Sequence, residues 1–135
     1  MQPDWRVGVS ASRDGLADRD MQSVFAGLRT GIVAWLASGV HIVDNGSTGG
    51  RVRRWASLVE GNIELAKGQN LKLSYEFYDQ NRSVPEDQRV RVSAVWEFAP
   101  FQFTQFRLGA RKNKGIPQSN PQNASEVFVQ WHAFF

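Results

Sequence analysis

The last nine residues of the chain constrain the fold more than any other stretch. Counting back from the carboxyl end, every second residue is apolar: Phe135, Ala133, Trp131, Val129 and Val127. A period of two places these side chains on one face of a β-strand. A strand with such an aromatic face is prone to aggregate at a free edge, and a closed barrel removes the edge by pairing the last strand with the first. The segment therefore favours an all-β fold that closes into a barrel.

The same alternation recurs upstream and predicts one domain, residues 1–135, with about eight antiparallel up-and-down strands. The predicted strands cover residues 5–12, 22–30, 33–43, 59–65, 71–78, 89–98, 105–111 and 127–135. The third strand is apolar on both faces. A helix over residues 21–43 is the alternative there, although Val, Ile, Gly and Thr are weak helix formers.

The connections between the predicted strands alternate in length. Those near Gly31, Gly68 and Pro100 are short, and those at 13–20, 44–51, 79–88 and 112–125 are long. In an up-and-down arrangement alternate connections lie at opposite ends of the strands. All long loops are therefore expected at one end, and both chain termini at the other.

The hairpin around Lys67-Gly68-Gln69 has the clearest predicted register. A three-residue loop places Glu64 opposite Lys72 on the polar side and Gly61 opposite Tyr75 on the apolar side. The same register pairs Leu65 with Leu71 and Ile63 with Leu73. On the sixth and seventh strands, Arg91 is expected nearly opposite Arg111, where the two charges would repel.

The terminal alternation ending in Phe, the even strand number, the strand lengths and the loop asymmetry together resemble bacterial outer-membrane β-barrels of the porin-like kind. The resemblance is most specific at the terminus and in the hairpin over 98–111. It implies a transmembrane barrel in the bacterial outer membrane, with lipid as its surroundings. It also implies that Val127, Val129, Trp131 and Phe135 form the signal read by the barrel-assembly machinery.

The aromatic residues are expected in two bands that match the girdles of such barrels. Tyr75, Phe77 and Trp55 would lie near the long loops. The band near the short turns would comprise Trp5, Trp35, Trp96, Phe98, Phe101, Phe103 and Phe135.

Composition limits the other classes of protein. The chain has no cysteine, so disulfides and thiolate metal sites are excluded, and its formal charge of +3 is spread too evenly to predict a nucleic-acid surface. A mean hydropathy of −0.40 is compatible with a membrane barrel, because such strands alternate apolar and polar residues. The first residues lack the pattern of a secretory signal, so we expect a mature form or, preferably, the C-terminal part of a larger barrel.

If the apolar faces meet lipid, the charged residues of the opposite faces line the barrel interior. In eight strands they would pair into a polar core, whereas in a wider barrel they would line a water-filled pore, whose basic wall on strands six and seven would favour anions. A wall neutralised by neighbouring partners is the preferred interpretation. The predicted lumen-lining residues are Arg6, Arg29, Glu60, Glu64, Lys72, Glu76, Arg89, Arg91, Glu97, Arg107 and Arg111.

Catalytic and cofactor chemistry has little support in the sequence. His41, Asp44 and Ser47 have no specific spacing, His132 is expected in the lumen, and two isolated histidines do not predict a metal site. The Gly-rich stretch 44–50 lacks the Lys of a phosphate-binding loop. The predicted function is passive passage of small solutes, without an enzyme activity or cofactor and with homo-oligomerisation open. The alternatives are a structural or adhesive eight-strand outer-membrane barrel and a soluble lipocalin-like barrel.

Overall fold

The computed structural model describes residues 4–16, 18–46, 50–115 and 123–134. They form one antiparallel sheet in which every strand pairs with its neighbours in sequence, which confirms the predicted all-β, eight-strand, up-and-down arrangement. The helical alternative for residues 21–43 is wrong, because two strands occupy that region. The strands are β1 (Asp4–Asp14), β2 (Arg19–Thr30), β3 (Val33–Asp44), β4 (Val52–Ala66), β5 (Gln69–Asp79), β6 (Gln88–Phe101), β7 (Thr104–Lys114) and β8 (Ser125–Ala133).

The sheet is open, so the closed barrel expected from the sequence is not present. The ladder begins at β1 and ends at β8, and each of these two strands has one unpaired edge. Alternating side chains determine which face of each strand is apolar. They do not determine how strongly the sheet coils, and closure depends on that coiling.

The register keeps one apolar face continuous across all eight strands. Every residue on the path across the sheet belongs to the face that the sequence predicts to be apolar. Successive cross-strand partners that start at Trp5 are Leu28, Trp35, Gly61, Leu73, Ala94, Ala110 and Val127. The eight predicted faces therefore join into a single surface, which we call the apolar face, and the opposite surface is the polar face.

The β4–β5 hairpin differs from its predicted register by two residues. Leu71 lies opposite Ile63, and Leu73 lies opposite Gly61. Lys67 and Gly68 form a two-residue turn, and a bulge between Glu64 and Ala66 takes up the extra residue. The predicted facing pairs are thus wrong, but the assignment of faces is right, because a shift by two residues preserves the alternation.

The β6–β7 connection lies further along the chain than predicted. Pro100 is part of β6, and the turn is formed by Gln102 and Phe103, whose φ is 69°. The ladder is irregular between Phe98 and Phe101, and a bulge tolerates a residue that cannot donate a backbone hydrogen bond. The predicted turn at Pro100 is therefore wrong, because this proline occupies the irregular part of a strand rather than a turn.

Most strands extend beyond their predicted bounds, and β4 and β7 illustrate why. β4 starts at Val52 rather than near residue 59, because its first half has charged and apolar residues on both faces and lacks a clean alternation. β7 continues to Lys114, so the last connection is shorter than predicted. In both places hydrogen-bonded neighbours extend a strand beyond its recognisable pattern.

The described part of the chain has almost no apolar core. Val43 is the only large apolar residue there that is buried. In the middle of the sheet the exposure is inverted relative to a soluble protein: Leu73 and Val92 are 44% and 51% exposed, whereas Ser74 and Ser93 on the polar face are each 9% exposed. In the middle of β5 and β6 the polar face is therefore more shielded than the apolar face.

We predict that Gly68→Ala destabilises the β4–β5 hairpin. Gly68 has a φ of 74°, and an added Cβ would lie 2.8 Å from the backbone oxygen of Ala99. A left-handed backbone and a clash with main chain together are expected to lower the free energy of unfolding by about 1–3 kcal/mol, measured by urea titration of the refolded chain. Gly15→Ala is the matched control, since an added Cβ there meets nothing within 4 Å. Equal stability of the two variants would contradict the prediction.

Candidate functional site

The polar face carries all the charged residues that the sequence predicts to line a lumen. Their alternation along β1, β2 and β4 to β7 and their cross-strand partners place them on this one surface. Most lie on β4 to β7, and Arg6 and Arg29 lie on β1 and β2. The charges thus form a field on one face of the sheet, and this field is densest on β4 to β7.

Ion pairs between strands neutralise much of the charge in this field. Lys72 and Glu60 are 3.6 Å apart, rather than Lys72 and Glu64 as the predicted register required. Glu64 instead reaches Arg29 of β2 at 3.3 Å, across β3. The shift of the hairpin by two residues therefore gives each carboxylate a different partner without leaving either one alone.

The predicted repulsion between Arg91 and Arg111 does not occur. Arg91 lies opposite Asn113 and donates a hydrogen bond of 2.9 Å to its side-chain oxygen, while Glu76 is 3.5 Å from the Arg91 guanidinium. Arg111 stacks over the ring of Phe128, with 4.5 Å between guanidinium carbon and ring centroid. The register shift again separates the like charges.

A polar network crosses four strands at this level of the sheet. Glu76 of β5 contacts Arg91 of β6, which contacts Asn113 of β7. The Asn113 amide in turn donates to Glu126 of β8 at 3.3 Å. Glu126 is not among the predicted lumen residues, because the predicted last strand begins at Val127 whereas β8 begins at Ser125. Linked hydrogen bonds of this kind hold neighbouring side chains in fixed orientations.

Glu97 and Arg107 form the closest ion pair of the field. Their atoms are 2.9 Å apart, and the Glu97 side chain is only 14% exposed. The partial burial makes this pair less screened by water than Arg29 and Glu64, whose side chains are 62% and 58% exposed. Acidic neighbours therefore compensate Arg91 and Arg107, two of the four arginines in the basic wall predicted on β6 and β7.

Arg89 differs from Arg91 and Arg107, which each pair with a carboxylate, and from Arg111, which stacks over Phe128. Within the described ranges no carboxylate lies within 4.0 Å of it, and its Nε atom is buried without a hydrogen-bond partner. It lies opposite Tyr78 at the long-loop end of the polar face. An arginine of this kind retains its charge and has no described carboxylate to neutralise it.

The polar face has a second, less polar half on β2 to β4. Few charges are found in the middle of these strands, and the exposed fractions of Phe25 and Leu36 are 46% and 40%. This patch consists of Met21, Phe25, Leu36, Val40, Ile42, Ala56 and Leu58. The sequence indicates this patch only through β3, which is apolar on both faces. The alternation of residues does not explain why both faces of this strand are apolar.

The apolar face carries an open depression of about 760 Å³. Its walls include Trp35, Leu73, Tyr75 and Val127. Trp35 also covers Gly61, where an added Cβ would lie 2.8 Å from the ring, so Trp35 and not Tyr75 covers this glycine. Trp5, Trp35 and Trp96, three residues of the aromatic band predicted near the short turns, lie on this same face.

The β8 residues of the predicted assembly signal are among the most exposed apolar side chains. Val127, Val129 and Trp131 are 78%, 73% and 68% exposed. They share the apolar face of a strand whose outer edge is unpaired. Phe135 lies outside the described residues.

The residues with a possible catalytic role do not converge. His41 lies on the apolar face beside the Trp55 ring, while Asp44 lies on the polar face and pairs with Arg19 at 3.0 Å and Arg54 at 3.6 Å. Ser47 is outside the described residues. His132 lies on the polar face, and its Nε2 atom has no hydrogen-bond partner.

Asp79 lies at the long-loop end of β5, beyond the last apolar residue of that strand. Burial first, and then the neighbouring carboxylate of Asp87, raise the pKa of Asp79 above its ordinary value.

In the part of the chain that the structure describes, no group of three His, Cys, Asp or Glu side chains is placed to hold a metal ion. No described helix is long and apolar enough to span a membrane.

Comparison with protein-family models, with curated proteins and with solved structures found no match to this chain.

We predict that Glu97→Gln destabilises the sheet more than Glu64→Gln. The first change leaves the Arg107 guanidinium without its partner at a partly shielded position, where the cost is expected to be about 1–3 kcal/mol. The second breaks a pair that is more than half exposed and is expected to cost less than about 1 kcal/mol. Urea unfolding of both refolded variants measures the difference, and a larger loss for Glu64→Gln would contradict it.

Proposed function

We propose that this chain forms a porin-like β-barrel wall in the bacterial outer membrane that lets small solutes pass by diffusion. The observation that carries the proposal is the inverted exposure of the sheet. Large apolar side chains such as Leu73 and Val92 lie outward, whereas Ser74 and Ser93 are shielded. A surface of this kind is favourable in contact with lipid and costly in contact with water.

The charged field supports a water-filled passage. Ion pairs such as Lys72 with Glu60 and Arg107 with Glu97 hold these charged side chains close to the polar face of the sheet. A wall of paired charges remains wettable without presenting a large net charge. Because the pairs compensate one another, the proposed channel has little overall preference between anions and cations.

An open channel requires more strands than eight, since side chains fill the interior of an eight-strand barrel. The unpaired edges of β1 and β8 offer the backbone groups that further strands would use. These strands can come from a longer chain or from another copy. In either case the exposed apolar residues of β8, including Val129 and Trp131, support its proposed role in assembly through the barrel-assembly machinery.

The lipid-facing side is tested by placing one arginine on either face of β3. Ala37 lies on the apolar face, and Leu36, its neighbour in sequence, lies on the polar face. In a membrane, Ala37→Arg is expected to cost about 2–4 kcal/mol and to reduce folding into lipid vesicles, while Leu36→Arg folds nearly as well as the original chain. The measurement is the fraction of compact, heat-modifiable protein on a gel, together with conductance in a planar bilayer.

Equal folding of the two arginine variants in vesicles would reject the assignment of faces. A chain that stays monodisperse in buffer without detergent would favour the soluble, lipocalin-like barrel instead. That alternative requires apolar side chains to be shielded and charges to be exposed, which is opposite to the pattern on β5 to β7. A folded protein without conductance would leave the structural or adhesive barrel.

The stagger of the sheet favours this structural barrel as a second candidate. If Val127, which follows from Trp5 through the cross-strand partners, shifted to a position opposite Arg13, residues 126–133 of β8 would pair with residues 7–14 of β1. This shift is about eight residues and corresponds to a strand tilt of about 35° in an eight-strand barrel. Because the shift is even, the apolar face stays continuous, with Trp131 opposite Val9 and Val129 opposite Ala11.

A cysteine pair distinguishes the two forms, because the chain has no cysteine of its own. If one sheet closes on itself, Val9→Cys with Trp131→Cys forms a disulfide within one chain under mild oxidation, seen as a monomer on a non-reducing gel. Val9→Cys with Val127→Cys is the control, since its residues would be four positions out of register. A disulfide formed only between chains would exclude eight-strand closure and support a wider assembly.

A further inference from the structure

We propose that the long-loop end of the polar face binds a small monoanionic solute with an apolar body, such as an aromatic carboxylate. Val40, Ala56, Tyr78 and Arg89 would hold it. The proposal deepens the proposed function and rests on it only for the route by which a solute reaches this face.

The four residues form one straight row across neighbouring strands. Val40 of β3 lies opposite Ala56 of β4, Ala56 lies opposite Tyr78 of β5, and Tyr78 lies opposite Arg89 of β6. All four are half-buried and share the polar face. Since neighbouring strands are about 4.8 Å apart, the row from Ala56 to Arg89 spans about 10 Å, which suits a solute with one ring and one charged group.

Two adjoining depressions follow this row. One, of about 490 Å³, is lined mainly by apolar residues such as Val40, Ala56 and Leu58, and its polar residues include Ser38 and Glu60, whose carboxylate is paired with Lys72. The other, of about 400 Å³, is lined by Arg89 and Lys114. Tyr78 and Glu76 line both depressions, so an apolar compartment and a basic compartment meet at the tyrosine ring. Their sizes are within the range of small-molecule sites.

The charges of the basic compartment favour an anion. Its described walls hold three cations, Arg89, Arg91 and Lys114, and two carboxylates, Glu76 and Glu126. Glu76 is engaged by Arg91, and Glu126 accepts a hydrogen bond from Asn113. The Nε of Arg89 is buried without a partner, although buried polar atoms are normally hydrogen-bonded. No described carboxylate lies within 4.0 Å of Arg89, so a carboxylate on the solute would pair with the terminal nitrogens of its guanidinium rather than with the inaccessible Nε.

The apolar compartment selects for more than charge. A simple inorganic anion would leave Val40, Ala56 and Leu58 against water, whereas an aromatic or short aliphatic body would cover them. Tyr78 offers a ring face beside the arginine for stacking. A neutral apolar molecule, in turn, would leave Arg89 unpartnered.

Binding to the full chain refolded in detergent tests the proposal by isothermal titration with three probes. Benzoate has both the charge and the apolar body, acetate has only the charge, and benzyl alcohol has only the body. Benzoate is expected to bind at least about tenfold more tightly than either of the others. Acetate or benzyl alcohol binding as tightly as benzoate would overturn the proposal.

Substitutions assign the binding to the row. Arg89→Gln is expected to lower the affinity for benzoate at least about tenfold and to leave that for benzyl alcohol unchanged. Arg82→Gln is the matched control, since Arg82 lies on the exposed loop after β5. Leu58→Ser is expected to weaken benzoate binding without changing acetate binding. Equal affinities of the Arg89→Gln and Arg82→Gln variants for benzoate would overturn the assignment.

Folding and channel activity are controlled separately. Arg89→Lys keeps the charge and is expected to retain part of the benzoate affinity, which distinguishes a lost contact from a misfolded protein. Benzoate binding in detergent by a chain without conductance would support the site and reject the channel. Conductance without any preference for benzoate would reject the site and leave the channel.

Discussion

The parity of the strand register is the constraint on which the rest of this structure depends. Each strand has one apolar side, and every pairing in the sheet joins like sides. A shift by one residue anywhere would turn a whole strand over, whereas a shift by two leaves both faces intact. The apolar face, the ion pairs and the proposed solute site all exist because this parity is kept across seven consecutive pairings.

The same constraint explains which sequence-based predictions are confirmed and which are wrong. The all-β class, the strand number and the face of each strand follow from the period of two. The facing pairs of Glu64 and Arg91 were wrong by two residues, because their register depends on the bulge before Ala66 and the irregularity after Phe98. Bulges depend on the geometry of the turn and leave no mark in the alternation.

The candidate site was only partly predictable for a related reason. The predicted charges on β4 to β7 were placed on the correct face, but their partners were not, because a partner depends on register and a face does not. The half-apolar row through Val40, Ala56 and Tyr78 was not predicted at all. It is recognisable only when three neighbouring strands are aligned, since each strand contributes a single residue. Whether the sheet closes could not be predicted from the alternation of residues either, because the coiling of a sheet depends on all of its strands together.

The unpaired edges of β1 and β8 give the sheet two different ends, which a closed barrel does not have. Because the sheet has an even number of strands in strict up-and-down order, its edge strands run in opposite directions. The edge of β8 on one copy is therefore an antiparallel complement for the edge of β1 on the next, and the same contact is available again at the far side. A head-to-tail contact of this kind has no built-in end point. Only the curvature of each copy decides whether repeated addition returns to its origin as a ring or continues as an open ribbon, so the coiling of a single sheet sets the size of any assembly built from it.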